Sequence, residues 1–269
     1  MNRRSSIRGF TLVEAVIVIA ITGIIAAAVA VFIQKPVQGY FDAARRAELT
    51  DIADTALRRL GRDLRLALPN SVRTTSGAAA VYLEFLQTSG GGRYRAGTDN
   101  SGGGNVLDFT QVVSKFDVLG PPVSTVAGEQ NLVVVYNQGV SGADAYRGDN
   151  TSAISAVTGN TVSIAGKQFP FASPASRFQI LSYPVTYVCD ATAQTLTRYW
   201  NYPIAVAQPT SFAAGTASAL LAKNVTNCAF SYSANVTSQR TGVVGATLQI
   251  SQSGESINLY DEVHVSNVP

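Results

Sequence analysis

The residues that could do chemistry in this sequence of 269 residues are few. There is one histidine, His264, and there are two cysteines, Cys189 and Cys228. A serine–histidine–acid triad would need His264, but the sequence has no G-x-S-x-G segment to supply the nucleophile. It also lacks the H-E-x-x-H and C-x-x-C spacings that are typical of zinc and redox sites. The sequence therefore predicts no catalytic residues, no metal site and no cofactor, and it favours a non-enzymatic protein.

The glycine-rich stretch Ser89–Asn105 is a second place where chemistry could lie, because it holds seven glycines. A phosphate-binding loop of this kind follows a strand, precedes a helix and ends in G-K-[ST]. The stretch has none of these features, so we expect a flexible surface loop.

The net charge of +3 is confined to one end of the chain. Arg3, Arg4 and Arg8 account for it, and the rest of the chain holds 17 basic and 17 acidic residues. A basic surface that attracts phosphates is therefore absent from the bulk of the protein, and we expect no nucleic-acid partner.

An apolar stretch follows this basic end. Ala15–Ile33 is uncharged over 19 residues, and as a helix it would span roughly 28 Å, close to the ~30 Å hydrocarbon core of a bilayer. The basic residues before it favour an N-terminus in the cytoplasm, which puts the remaining chain across the membrane.

Glu14 lies at the start of this stretch and would cost a few kcal/mol inside a membrane. An ordinary signal peptide is one alternative, because Ala28-Val29-Ala30 fits a cleavage site, although its apolar region is usually about 7–15 residues long. A tolerated glutamate near the lipid headgroups is another. A carboxylate with a partner is the third, and it is the one we favour.

Gly9-Phe10-Thr11-Leu12-Val13-Glu14 resembles the type IV prepilin signature. The resemblance implies that a prepilin peptidase cuts between Gly9 and Phe10 and methylates the new amino group of Phe10. Glu14, four residues later, would then lie one helical turn from that ammonium or pair with the ammonium of a neighbouring subunit. The family often has a helix proline at the position of Val31. Here Pro36 lies five residues later, so we expect any bent stretch of the helix to be displaced.

The elements around these residues predict an α+β fold in four segments. These are a leader (1–9), a transmembrane and assembly helix (10–33), an amphipathic second half of the helix (34–68) and a β-rich domain (69–269). The second half carries an apolar stripe, formed by Leu49, Ile52, Ala53, Ala56, Leu57, Leu60 and Leu64. The charged residues, Asp63 among them, are expected on the solvated face, and Pro69 ends the helix.

The β-rich domain is predicted from short β-branched and aromatic runs. The candidate strands are Val81–Leu86, Val106–Val113, Leu132–Tyr136, Thr161–Ile164, Arg177–Leu181, Val185–Cys189, Thr195–Trp200, Asn227–Ser233, Gly245–Ser251 and Ile257–Ser266. Cys189 and Cys228 lie on two of them, in an oxidising compartment if the orientation is right. A disulfide would contribute roughly 3–4 kcal/mol, and two buried thiols are the alternative.

Several segments resemble the O-type minor pilins of MSHA (mannose-sensitive haemagglutinin) pilus biogenesis. They are Leu57–Arg65, Ala67–Arg73, Tyr82–Leu86, Pro184–Asp190 and Leu196–Trp200. Tyr82 stands where a cysteine is expected in that subfamily. Some related pseudopilins bind calcium, and Asp144, Asp149 and Asn150 in Ser141–Ser152 offer oxygen ligands, but their spacing lacks the EF-hand pattern.

The resemblance implies a structural subunit of the tip or priming complex of an MSHA-type pilus. Its partners would be prepilin peptidase, other major and minor pilins, the inner membrane and the pilus assembly machinery. Its location would be the bacterial inner membrane, with the domain in the periplasm, and then the pilus at the cell surface. A J-type minor pseudopilin of type II secretion, and an enzyme or binding module tethered by one membrane helix, are the alternatives.

Overall fold

The computed structural model of the protein describes residues 9–236 and 241–269, and the predicted leader residues 1–8 lie outside this range. The described chain forms a helix α1 (Leu12–Leu64), a 3-10 helix η1 (Ala145–Arg147) and twelve strands. The strands are β1 (Arg73–Ser76), β2 (Ala80–Arg93), β3 (Val113–Asp117), β4 (Leu132–Val134), β5 (Thr151–Thr158), β6 (Thr161–Lys167), β7 (Arg177–Asp190), β8 (Thr195–Trp200), β9 (Ala217–Lys223), β10 (Val225–Val236), β11 (Thr241–Gln252) and β12 (Glu255–Ser266). The predicted α+β class, a long apolar N-terminal helix followed by a β-rich domain, is confirmed.

The helix ends four residues earlier than Pro69 predicted. The reason is that the backbone after Leu64 pairs with β2 instead of continuing the helix. The Leu68 N–H donates to the Leu86 carbonyl at 2.7 Å, and the Thr88 N–H donates to the Leu66 carbonyl at 2.8 Å. Pro36 lies inside α1, which continues through it.

The chain divides into two compact units, Met1–Glu48 and Leu49–Pro269. In the first unit the apolar helical side chains from Leu12 to Ile33 are exposed. In the second unit the helical residues bury the stripe predicted from their spacing, with Ile52 half-buried. The buried members are Leu49, Ala53, Ala56, Leu57, Leu60 and Leu64.

The larger sheet is organised around β7. Its strand order is β1-β2-β7-β4-β5-β6-β3, and β8 also pairs with β7 and carries β9 on its other side. The first part of β7 pairs with β4 (Leu181 opposite Leu132), and the second part pairs with β8 (Val185 opposite Trp200). Pro184, which has no N–H to donate, lies between these two pairings. The sequence predicted two strands here, and they form one.

A second sheet of three antiparallel strands, β10-β11-β12, completes the core. Alternate residues of β11 are buried together with the helical stripe and with β2, β7 and β8. This shared core includes Leu60, Leu83, Tyr187, Val244, Leu248 and Ile250. One apolar cluster therefore holds both sheets and the helical residues from Leu49 onward.

The expectation of a loop is wrong for the first part of the glycine-rich stretch, whereas residues 95–105 lie outside the strands and are mostly exposed. Its first residues belong to β2, where Gly91 pairs with Gln179. A Cβ at Gly91 would lie 2.5 Å from the carbonyl oxygen of Phe178, so the glycine permits a close backbone approach. At the far end, Asp117 accepts hydrogen bonds from the Asn105 side chain (2.8 Å) and backbone (2.9 Å), which lowers the pKa of Asp117 to about 2.

The two sheets are joined covalently by a disulfide between Cys189 of β7 and Cys228 of β10, with Cα atoms 6.4 Å apart. Non-reducing peptide mapping of the purified protein should recover these two cysteines in one linked pair. Replacing both with alanine should lower the free energy of unfolding by roughly 3–4 kcal/mol, because the unfolded chain regains loop entropy. Free thiols at both positions in protein exported by its own host would contradict the prediction.

Candidate processing and assembly sites

The segment from Gly9 to Glu14 changes from non-helical to helical backbone. Gly9, Phe10 and Thr11 are non-helical, and α1 begins at Leu12. The Thr11 hydroxyl accepts the Glu14 backbone N–H at 3.3 Å, and the Thr11 carbonyl accepts the Ala15 N–H at 3.1 Å. This is the threonine half of a capping box, in which glutamate occupies the third helical position. The peptide bond between Gly9 and Phe10 therefore lies outside the helix, and Phe10 is 76% exposed.

Glu14 occupies the first turn of α1 and is exposed. A carboxylate in a first turn interacts favourably with the positive end of the helix dipole. That interaction compensates part of its desolvation cost in an apolar environment, but it does not supply a full counter-charge. A partner ammonium would supply it.

The apolar residues after Glu14 make α1 the one described helix long and apolar enough to cross a membrane. Its most apolar 18-residue window has no residue buried within the protein. Together with the sequence motif around Gly9, this helix fits anchoring in the inner membrane. The charged residues begin again at Lys35, about 30 Å along the helix from Ala15.

Asp63 is where the structure corrects the helix prediction most clearly. We expected it on the solvated face, but it is 4% exposed. Its Oδ2 accepts hydrogen bonds from the Tyr187 hydroxyl at 2.9 Å and from Nε of Arg198 at 2.6 Å. Its Oδ1 lies 3.2 Å from Nε of Arg59, one helical turn earlier. Asp63 therefore joins the helix to β7 and β8.

The surroundings of Asp63 keep its partners in the protonation states that donate. Burial and the negative charge of Asp63 raise the pKa of Tyr187, so the phenol stays protonated. Burial lowers the pKa of Arg198, but the Asp63 carboxylate outweighs that effect and the net shift is upward. The Arg198 guanidinium also donates to Gln87 at 3.1 Å and lies 4.7 Å from the centre of the Trp200 ring.

A second buried charge lies on β2. Glu84 is fully buried and accepts hydrogen bonds from Nε of Arg73 at 2.7 Å and from the Tyr202 hydroxyl at 3.0 Å. Burial raises the pKa of Glu84 and exceeds the opposing effect of Arg73. Arg73 also donates to the carbonyls of Ala205 and Val206, so it fixes the chain after β8 against β1.

The remaining sequence candidates are separate from these residues. His264 is exposed on β12. Asp149 accepts the Gly142 N–H at 2.8 Å, and Asp144 accepts the Tyr146 N–H at 2.9 Å as the cap of η1. In residues 9–236 and 241–269, no group of three or more histidine, cysteine or acidic side chains could hold a metal.

Residues 4–30 match the family model of the prokaryotic N-terminal methylation motif. No curated protein and no solved structure matches the chain. The motif, with the apolar helix and the β-rich domain, supports a prepilin-type protein, that is, a type IV pilin-like or pseudopilin-like subunit. Such a motif implies processing by prepilin peptidase and assembly with other pilins, and it suggests a structural rather than an enzymatic protein.

Sequence reasoning found the processing motif but missed the buried charges, although a local signal was present. Arg198 lies between Leu196 and Trp200 on the buried face of an alternating strand. Glu84 lies on the same face of β2 as Leu86, two residues later, and both are fully buried. A charge on an apolar face indicates a buried partner, because burying it alone is costly.

Replacing Asp63 with asparagine should leave Arg198 buried without its counter-charge. We expect the free energy of unfolding to fall by about 3–5 kcal/mol, measured by urea titration of the full chain in detergent micelles with circular dichroism. The matched control is Asp54→Asn, which removes an exposed i,i+4 partner of Arg58 and should change stability far less. Equal losses in the two variants would refute the role of Asp63.

Proposed function

We propose that this protein is a minor pilin of an MSHA-type type IV pilus, a subunit of its priming or tip complex. The single observation that carries the proposal is the methylation motif at residues 4–30, followed by a helix with an exposed apolar surface. An exposed apolar helix suits a subunit that moves from a bilayer into a bundle of sister helices, since both environments cover its side chains.

The domain supports a minor rather than a major subunit. Major pilins are usually shorter, whereas this domain occupies about 200 residues and has long connections between strands. The segments that resemble O-type minor pilins of MSHA biogenesis lie in the second half of α1, in the connection from α1 to β1, and in the neighbouring strands β2, β7 and β8. They therefore form one continuous part of the core.

The proposed maturation follows the four segments of the chain. The leader (1–9) remains cytoplasmic while residues 10–33 span the inner membrane, and prepilin peptidase cuts between Gly9 and Phe10. Methylated Phe10 and Glu14 then lie at the end of the assembly helix, where the ammonium of one subunit meets the carboxylate of another. The third segment (34–68) continues this helix as far as Leu64. The domain (69–269) matures in the periplasm, where Cys189 and Cys228 pair, before it reaches the pilus surface.

A J-type minor pseudopilin of a type II secretion system is the second candidate, because the same motif and helix suit it. The genes beside this one would distinguish the two: MSHA pilus genes in one case and secretion genes in the other. An enzyme or binding module tethered by one helix would need neither processing at Gly9 nor filament partners.

Mass spectrometry of the mature protein should give an N-terminus of N-methyl-phenylalanine at Phe10 in a host with prepilin peptidase. The same host without the peptidase should retain the leader. An N-terminus near Val31 would instead support removal of an ordinary signal peptide and would overturn the proposed function.

Replacing Glu14 with valine should leave cleavage intact but reduce incorporation into filaments that contain other pilins, because the neighbouring ammonium loses its partner. Glu14→Asp keeps the charge and serves as the control. The measurement is the amount of this subunit in sheared filaments, by immunoblot. Filaments of unchanged number and composition would count against charge pairing at Glu14.

A further inference from the structure

β12 is an edge strand whose outer backbone has no partner strand within the described residues. The Glu262 N–H donates to the side chain of Asp261 at 3.0 Å, so it does not point into the ladder with β11. Because antiparallel strands alternate the direction of their backbone groups, Asn258, Tyr260, Glu262 and His264 present theirs outward. The register agrees with this alternation, since Ser251 lies opposite Ser256 and donates its N–H to Asn224 on the β10 side.

This open edge is unusually regular. β12 spans twelve residues, pairs with β11 without a register shift and contains no proline. Edge strands are normally protected by bulges, prolines, short length or a cover, because their free N–H and C=O groups pair readily with another chain. A long, regular edge is therefore a suitable template for an added strand.

A groove of about 640 Å³ runs between this edge and the flank of α1. Residues 259–264 line one side, and Arg58, Gly61, Arg62 and Arg65 are among the helical residues on the other. A Cβ at Gly61 would lie 3.5 Å from Val263 and 3.7 Å from Asp261. The helix therefore lies over the inner face of β12, the face of its odd-numbered residues.

Three arginines and three carboxylates line the groove, so its charges nearly balance. Arg58 is paired with Asp54 at 2.6 Å, and Asp54 and then Asp261 raise the pKa of its guanidinium, so both carboxylates act on Arg58. Arg62 and Arg65 are exposed and form no ion pair within residues 9–236 and 241–269, so they are the charges left for a partner. On the strand, Tyr260 is 64% exposed and Glu262 is also exposed, both on the outer face of the sheet.

We propose that this groove binds an extended segment of a neighbouring filament subunit, which adds to β12 as a further strand. Its backbone pairs with the outward groups of Tyr260, Glu262 and His264, and its carbonyl replaces the Asp261 side chain as the acceptor of the Glu262 N–H. Its inward side chains are Asp or Glu at alternate positions, and they meet Arg62 and Arg65. The nature of the partner as a filament subunit rests on the proposed function, whereas the chemistry of the groove does not.

A second copy of this chain suits the groove less well. Its own β12 lies beside its own arginine row, so two-fold pairing of the edges would bring two sets of Arg62 and Arg65 toward each other. Like charges at a shared interface disfavour that arrangement.

The first test uses the processed full chain in detergent micelles and a fluorescein-labelled peptide, Thr-Glu-Val-Glu-Val-Glu-Thr, with blocked ends. Fluorescence anisotropy should show binding at least tenfold tighter than that of the same peptide with lysine in place of glutamate.

The same assay is then applied to variants of the protein. Combining Arg62→Glu with Arg65→Glu should weaken binding at least tenfold. The control pair, Arg147→Glu with Arg177→Glu, makes the same change in net charge at exposed arginines outside the groove and should leave binding unchanged. Equal binding of the two peptides, or equal effects of the two variant pairs, would overturn the proposal.

The second test separates backbone pairing from charge. Glu262→Pro removes an N–H that points outward, so the β11 ladder is kept, while Glu262→Ala keeps the N–H and removes the same carboxylate. We expect the proline variant to lose peptide binding at least fivefold relative to the alanine variant, with both retaining the circular dichroism spectrum of the parent. Folded proline and alanine variants that bind equally well would rule out an added strand.

The third test asks for the partner in cells. A photo-crosslinking phenylalanine analogue at Tyr260 should form an adduct with an acidic extended segment of another filament subunit, identified by mass spectrometry, and Glu262→Pro should abolish it. An adduct with a second copy of this chain would contradict the proposal.

The failure of this proposal and that of the proposed function give different results. A correctly processed, assembled protein without any adduct or peptide binding would refute strand binding in the groove alone. An uncut leader would refute the proposed function alone.

Discussion

A buried carboxylate on a helix needs hydrogen-bond donors or a counter-charge close to it. Asp63 receives them from two strands, β7 and β8. Tyr187 and Arg198 reach it from β7 and β8, while the apolar stripe on either side of it packs into the shared core. Sliding the helix by one residue would turn Asp63 away and leave Arg198 buried alone, which is expensive. The ion pair thus fixes the register of residues 49–64 on the sheets, whereas the apolar contacts alone would tolerate several registers.

Two of the carboxylates of α1, Asp63 and Glu14, have their charges matched in different ways. Asp63 finds its partners within its own chain, so its charge is satisfied as soon as the domain folds. Within residues 9–236 and 241–269, Glu14 has the helix end and the Thr11 cap near it, and under the proposed function an ammonium of another subunit matches its charge. Under the proposed function, such a subunit is stable by itself and gains free energy on assembly, when an ammonium pairs with Glu14.

The sequence predicted those elements whose local pattern and final environment agree. The helical stripe and β8 (Thr195–Trp200) have their expected period, and both are buried on one face. β9 (Ala217–Lys223) was missed because Ala, Ser and Leu have little preference for strands. Its backbone is a strand because it pairs with β8. Val106–Val113 was wrongly predicted as a strand, since Asp108 accepts the Thr110 N–H and turns the chain. Asp63 was misplaced because helical spacing alone says nothing about a strand that carries Arg198.

Under the proposed function, in which the protein is part of a filament that bears tension, the bond between Cys189 and Cys228 has a mechanical consequence. The 39 positions from one cysteine to the other, which include all of β8 and β9, cannot be drawn out as long as the bond holds. That withholds about 130 Å of contour length from any stretched state. β8, which carries Arg198, lies inside this closed loop. The strand that supplies the ion pair to Asp63 therefore belongs to the part of the molecule that yields least under tension.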